Sequence, residues 1–183
     1  MLNINSVYKA FDATVLENFS YSFPEKGLVL IRGASGSGKT TLLRLIAGLE
    51  KPDRGTLEIK TDRISCVFQE PRLIPHLTLL ENVLLVKKSK EKEKARAILS
   101  RLGLEQAEKK FPHELSGGMK LRGAIARSLY YGGDIYLWDE PTKELDSENK
   151  KMILEQMQTL ARTKLVIAVT HDQDLVSERV ITL

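Results

Sequence analysis

The chain has 183 residues, room for one domain with a sizeable core, and its Lys plus Arg exceed its Asp plus Glu by 28 − 24 = 4. With 42% apolar and 28% charged residues, the composition excludes a disordered chain, a collagen and a disulfide scaffold. The longest apolar runs, such as Leu165–Val169, are about five residues, whereas a membrane-spanning helix needs about 20. Met1 to Val7 contain no basic segment leading into an apolar stretch, so no export signal is expected and a cytoplasmic location follows as an expectation. Cys66, the single cysteine, can form no internal disulfide and is expected in a buried strand, within Ile64-Ser-Cys-Val-Phe68.

Phe19-Ser-Tyr-Ser-Phe23 alternates aromatic and polar residues as a half-buried strand does, and Leu28–Ile31 is a continuous run suited to a central strand. A helix is predicted from about Lys39 to Ala47 with Gly48 as its cap, then a turn at Pro52-Asp-Arg-Gly55 and strands at Thr56–Lys60 and Ile64–Phe68. Thr78 and Glu81 have capping-box spacing, and amphipathic segments run through Leu102 and from Met119 to Leu129, so residues about 72–130 read as a helical insertion. Strands return at Ile135–Trp138 and Leu165–Val169, separated by a helix from about Ser147 to Arg162 with Ile153, Leu154, Met157 and Leu160 on one face. Strands alternating with helices imply an α/β fold with a mainly parallel sheet. Lys87 to Arg101 holds seven basic residues. Ala95, Ile98, Leu99 and Leu102 recur behind them at helical spacing and no aromatic residue interleaves, so a solvated helix face is expected rather than a nucleic-acid or lipid patch.

Gly33-Ala-Ser-Gly-Ser-Gly38-Lys39-Thr40 fits the GxxxxGK[ST] pattern and lies after an apolar strand and before a helix, as that pattern requires. Glycines let successive backbone N–H groups curl around phosphate oxygens, and the helix N-terminus favours the anion. In this arrangement Lys39 reaches the β- and γ-phosphates and the Thr40 hydroxyl ligates Mg²⁺. One hundred residues after Lys39, Asp139-Glu140 ends the apolar strand Ile135-Tyr-Leu-Trp138, where side chains emerge beside the phosphate loop of a parallel sheet. Asp139 is then expected to hold Mg²⁺, directly or through water, and Glu140 to polarise the attacking water as general base. Trp138 is expected in the core. Ser116-Gly117-Gly118 precedes the helix containing Ile125, Ala126 and Leu129, a second exposed helix N-terminus able to bind phosphate.

Together with Gln69 after one strand and Thr170-His171-Asp172 after the last long strand, these motifs, in this order, resemble the ATP-binding cassette (ABC) ATPases over nearly the entire chain. The resemblance implies a P-loop NTPase core with an N-terminal antiparallel β region, 1–71 and 131–183 forming the nucleotide-binding part and about 72–130 a helical subdomain, within one domain over 1–183. It implies that ATP is sandwiched between Gly33, Ala34, Ser35, Gly36, Ser37, Gly38, Lys39, Thr40 and Thr41 of one subunit and Ser116, Gly117 and Gly118 of its partner. By the same resemblance Gln69 senses Mg²⁺ and the attacking water, His171 contacts the γ-phosphate, and Asp146 belongs to the nucleotide site. Phe11 takes the position of the ring that stacks on adenine, with Tyr8 near enough to compete.

Val67-Phe-Gln-Glu-Pro-Arg-Leu-Ile-Pro75, Leu77–Val83 and Pro112–Met119 are similar to the importer branch serving nitrate, sulfonate, taurine and thiamine-precursor pyrimidines. The chain departs from the wider family at Met119, at Leu121 where a Gln is usual, and at Lys143-Glu144, which replaces a small pair expected at the dimer interface. The stretch between Lys39 and Gln69 is short and the sequence stops 12 residues after His171, so no regulatory tail and a weakened edge of the sheet are expected. The implied protein is an importer ATPase on the inner face of the cell membrane. It would form a dimer, a homodimer in the favoured case, around ATP and Mg²⁺, drive separate permease subunits that can work with a solute-binding protein, and bind no nucleic acid. Arg72, Leu73 and Ile74 would meet the permease or pack beneath the helical insertion. The alternatives are an exporter or lipoprotein-release ATPase, a non-transport cassette protein, and a small-molecule kinase sharing only the phosphate loop.

Overall fold

A computed structural model describes residues 2–172 and 175–183. In chain order it contains β1 (Leu2–Ala10), β2 (Thr14–Phe23), β3 (Gly27–Arg32), α1 (Lys39–Ile46), β4 (Arg54–Ile59), β5 (Ile64–Val67), α2 (Leu79–Leu84) and α3 (Lys92–Arg101). Then follow α4 (Gly117–Tyr131), β6 (Ile135–Asp139), α5 (Ser147–Ala161), β7 (Leu165–Val169) and β8 (Arg179–Thr182). The larger sheet has the order β5-β6-β7-β3-β8 with parallel pairing throughout, and an antiparallel sheet, β2-β1-β4, stands apart from it. This is the expected α/β class.

Each central strand sends alternate side chains to two different cores, the signature of a sheet buried on both faces. Val29, Ile31, Leu137 and Ile167 pack with α1 and with Leu2, Ile4 and Leu16 of the small sheet. Leu30, Tyr136, Trp138, Val166 and Ala168 face the other way, into the layer of α2 to α5. Trp138 is fully buried and its indole N–H donates to Ser128 Oγ (3.1 Å), which is 2.7 Å from Ser65 Oγ. This polar link joins α4 to β5 and β6, and satisfies groups that burial would otherwise penalise.

Within the helical layer, Thr78 and Glu81 form the expected capping box at the start of α2. The basic stretch is a solvated face: Ala95, Ile98 and Leu99 of α3 are buried, while Arg96 pairs with Glu93 and Glu108. Asn82, fully buried, ties down the loop before α2 by accepting from the Ile74 N–H (2.7 Å) and donating to the Ile74 and Leu77 carbonyls. Leu73 and Ile74 are half-buried, Leu73 against the core, so packing beneath the helices accounts for Leu73. Leu121 is buried on α4 and packs into the helical-layer core. Cys66 is only half-buried on β5, though burial still pushes its thiol up to about 11.

Two strands lie outside the sequence-based expectation. In β1 the alternation Leu2, Ile4 breaks at Ser6 (φ 46°), where the register shifts and brings Val7 inward on the wrong parity. A period-two reading cannot follow a bulge of this kind. β8 is four residues long with Val180 exposed, and it closes the sheet edge beside β3 that the short sequence was expected to leave weak.

Candidate functional site

The parallel strands of the large sheet end at one rim, and the loops leaving β3, β5, β6 and β7 supply the candidate residues there. That rim, beyond the carboxyl ends of the strands, is where such sheets bind ligands. A cleft of about 520 Å³ opens at it, lined by Ser35, Gly36 and Gly38 to Thr41 of the phosphate loop, by Gln69, by Asp139 and Glu140, and by His171.

Gly36 and Gly38 have φ of 81° and 95°, a conformation that L side chains adopt only under strain. They turn the loop so that α1 begins at Lys39 behind Gly38, an N-cap residue with no side chain to cap it, leaving its first N–H groups open toward the cleft. Ser37 Oγ is buried with no hydrogen-bond partner, and open space surrounds the position of a Cβ on Gly36. A polyanion with several acceptor oxygens fits these donors. Lys39 lies almost wholly buried under the loop and donates to the Gly33 and Ala34 carbonyls (3.0 and 2.7 Å), so a cation is held within the ring of amides.

The Thr40 hydroxyl donates to Asp139 Oδ2 across the 2.7 Å between α1 and the end of β6. This hydroxyl and carboxylate, with the Gln69 amide at the cleft wall, form a hard oxygen donor set of the kind that holds Mg²⁺ together with substrate phosphates and water. Among the described residues no group of three His, Cys, Asp or Glu could hold a metal unaided. Burial raises the Asp139 carboxyl above the ordinary Asp range, against the Thr40 bond and the charge of Lys39. Its ionised form is thus under tension at neutral pH: the stability that protonation supplies is complete below the ordinary Asp pKa and is lost as pH rises through the raised one. Asp139→Asn should therefore raise the melting temperature at pH 7, and an unchanged or lowered value in thermal unfolding would refute that tension.

Glu140, although not a glycine, has φ 52° in the left-handed region, which is strain of the sort concentrated at functional sites. Its carboxylate accepts from the His171 backbone N–H (3.4 Å) and lies 3.6 Å from His171 Nε2. Burial raises its pKa, opposed by that bond and by the imidazole. A partly desolvated carboxylate with a raised pKa facing a phosphate-sized cleft is chemically able to take a proton from water.

The remaining expected groups stand outside this cleft of the single chain, as was expected of the Ser116–Gly118 turn. Phe11 sits in the β1–β2 turn, its ring largely exposed with the Lys9 ammonium 5.1 Å away, Tyr8 stands opposite Arg54 in the β1–β4 register, and Val15 of β2 lines the cleft. Val15 crosses directly over the loop: a Cβ on Gly38 would fall 2.8 Å from Val15 Cγ1. Asp146 is engaged as the N-cap of α5, accepting from the Asn149 N–H (2.9 Å) and side-chain amide (2.6 Å). Ser116 caps α4 by accepting from the Met119 N–H (3.2 Å), and Gly117 borders a separate 110 Å³ hollow with Lys120 and Glu144. The Ser116-Gly-Gly118 turn thus does not line its own chain's phosphate cleft. Lys143 borders both hollows, a position that its place in the sequence did not disclose.

An open phosphate loop at the rim of a parallel sheet, with paired carboxylates on a neighbouring strand, defines a P-loop nucleotide-binding domain. Residues 16–143 match the family model described as ABC transporter, and the chain belongs to that family. It is 38% identical to the arginine transport ATP-binding protein ArtM of Bacillus subtilis (strain 168), over 97% of this chain and 84% of that one. It is 40% identical to the aliphatic sulfonates import ATP-binding protein SsuB 1 of Shouchella clausii (strain KSM-K16), over 94% and 72%. The macrolide export ATP-binding/permease protein MacB of Pasteurella multocida (strain Pm70) is 38% identical, over 94% of this chain and 30% of that longer one. A solved structure of the bacterial ABC transporter cassette MJ0796, described as dimeric, superposes with a TM-score of 0.92 at 32% identity, covering 100% of this chain and 94% of that one. The same cassette in a post-hydrolysis state bound to ADP and Pi superposes equally well. The chain is accordingly an ATP-binding ATPase of the ABC transporter family. Among the described residues no helix is long and apolar enough to cross a membrane.

Proposed function

We propose that two copies of this chain close around two ATP molecules at the inner face of the membrane and use hydrolysis to drive separate permease subunits of an importer. The observation that carries the reading is the convergence of Lys39, Thr40–Asp139 and Glu140–His171 on one cleft, while Ser116–Gly118 stands outside it. Substrate binds with its phosphates over the amides of Gly36 to Thr40, and Lys39 leaves the Gly33 and Ala34 carbonyls to reach the β- and γ-phosphates. Thr40, Asp139 and Gln69 would hold Mg²⁺, which supplies Lewis-acid charge neutralisation on the phosphates. Glu140 accepts the proton of the attacking water, and His171 donates to the γ-phosphate as negative charge shifts in the transition state. Ser116, Gly117 and Gly118 of the partner complete the γ-phosphate's shell from the N-terminus of α4.

Import is supported by the likeness to the sulfonate importer, and a small anionic or heterocyclic solute follows from the same branch. The likeness to the macrolide exporter favours a second reading, an export ATPase with the same catalytic residues. Copurification in detergent separates the two: a permease together with a solute-binding protein supports import, and a permease without one supports export.

The shared site is tested by mixing an inactive Lys39→Ala chain with an inactive Ser116→Arg chain. One of the two composite sites in each mixed dimer is then intact, so activity should return. Demonstrated mixed dimers without any recovered activity would overturn the reading.

A further inference from the structure

His171 stands between two clamped neighbours. Before it, Thr170 is fully buried and its N–H donates to the Ile31 carbonyl (3.4 Å). After it, Asp172 is held at three points: its N–H donates to Thr170 Oγ1 (2.9 Å), its carbonyl accepts from Arg32 (3.2 Å), and its carboxylate is engaged from the 140–150 segment. There Thr142 donates to Asp172 Oδ2 (3.1 Å), and Lys150 Nζ lies 2.9 Å from the same oxygen, with both charged side chains largely out of water. The His171 side chain, by contrast, is 60% exposed and meets Glu140 without being packed into place.

Lys150 is in the first turn of α5, where the helix dipole disfavours a cation. A charge set against its local preference calls for compensating contacts, and the largely buried Asp172 carboxylate is one of them. The two partners belong to the segments that carry Glu140 and His171: Thr142 is two residues after Glu140, and Asp172 directly follows His171. The Lys150–Asp172–Thr142 brace therefore bridges the two loops whose spacing sets the Glu140–His171 distance.

We infer that Lys150 is a positioning residue for hydrolysis, acting through Asp172 to fix His171 against Glu140. The inference rests on the roles proposed above for Glu140 and His171. Geometry at a reacting centre is exacting, a displacement of about 1 Å being enough to cost as much as 10²-fold in rate, whereas the phosphate-binding amides and Lys39 lie in the segment after β3, which meets Asp172 at its backbone carbonyl, through Arg32, and not at the carboxylate that Lys150 holds. Loss of the brace should thus lower turnover and leave nucleotide affinity unchanged.

Lys150→Met keeps the aliphatic stem and removes the charge. Its kcat for ATP hydrolysis per folded chain should fall roughly tenfold, within that positional range, with KM for ATP unchanged, and Lys150→Arg should restore it. A contact serving stability alone would lower the melting temperature and leave kcat per folded chain at the wild-type value, and that result overturns the proposal. So does a Lys150→Arg chain as impaired as Lys150→Met. Should Lys150→Met fail to fold, Thr142→Val carries the same expectation from the other side of the brace. Glu140→Gln in parallel separates the two readings: turnover surviving in that chain refutes the site assignment, whereas its loss beside a fully active Lys150→Met refutes the brace alone.

Discussion

Glu140→Gln should bind ATP as the unaltered chain does and lose turnover by roughly 10² to 10⁴, the usual contribution of a positioned general base. The substitution keeps shape and hydrogen-bonding capacity toward the His171 N–H but removes the proton acceptor. The phosphate loop, Lys39 and the Thr40–Asp139 pair are untouched, so affinity should persist. Because dissociation would be slow to follow without hydrolysis, ATP should also hold the two proposed subunits together longer, visible as a nucleotide-dependent dimer in gel filtration. Turnover near the unaltered level would remove Glu140 from the mechanism. Equal loss of binding and turnover would instead assign its carboxylate to nucleotide binding.

Trp138→Ala should destabilise the fold by about 3–5 kcal/mol, the range for emptying a buried aromatic site. The indole is fully buried between β6 and the helical layer, edge-on to Tyr136 at 6.3 Å between ring centroids. Its loss leaves a cavity, and Ser128 Oγ loses one donor while retaining Ser65. Since Trp138 precedes Asp139 on the same strand, relaxation into that cavity would also move the carboxylates at the rim. Urea unfolding gives the measurement; a change under about 1 kcal/mol would mean that the helical layer collapses to refill the space, contrary to close packing.

Lys39, Thr40, Asp139 and Glu140 are legible in the sequence because their chemistry is local. A glycine-rich turn between an apolar strand and a helix dictates where amides and ammonium go, and an apolar strand ending in two carboxylates dictates which rim they reach. The central strands and α1, α4 and α5 follow from hydrophobic spacing for the same reason, since periodicity records which face is buried. The elements that escape such a reading are local in appearance only. β1 is paired on both sides through a bulge that breaks its alternation, and β8 is a short edge strand whose pairing to β3 lies in neither segment's composition.

The site shows the same division. The resemblance points to Phe11 as the candidate for the nucleotide base, whereas only the path of β2 shows that Val15 crosses over the loop and that the Phe11 ring is left exposed in the preceding turn. Asp146 is placed at the nucleotide site by resemblance, and only the fold shows that its carboxylate also caps α5, because the chain turns into that helix at this residue and its first amides need an acceptor. The Lys150–Asp172 contact joins residues 22 positions apart in the chain. The sequence by itself therefore determined the phosphate chemistry, the parallel sheet and the family, all written in short motifs and burial periods. Tertiary structure alone decided which side chains face the cleft and which brace it, since that depends on where strands distant in sequence cross.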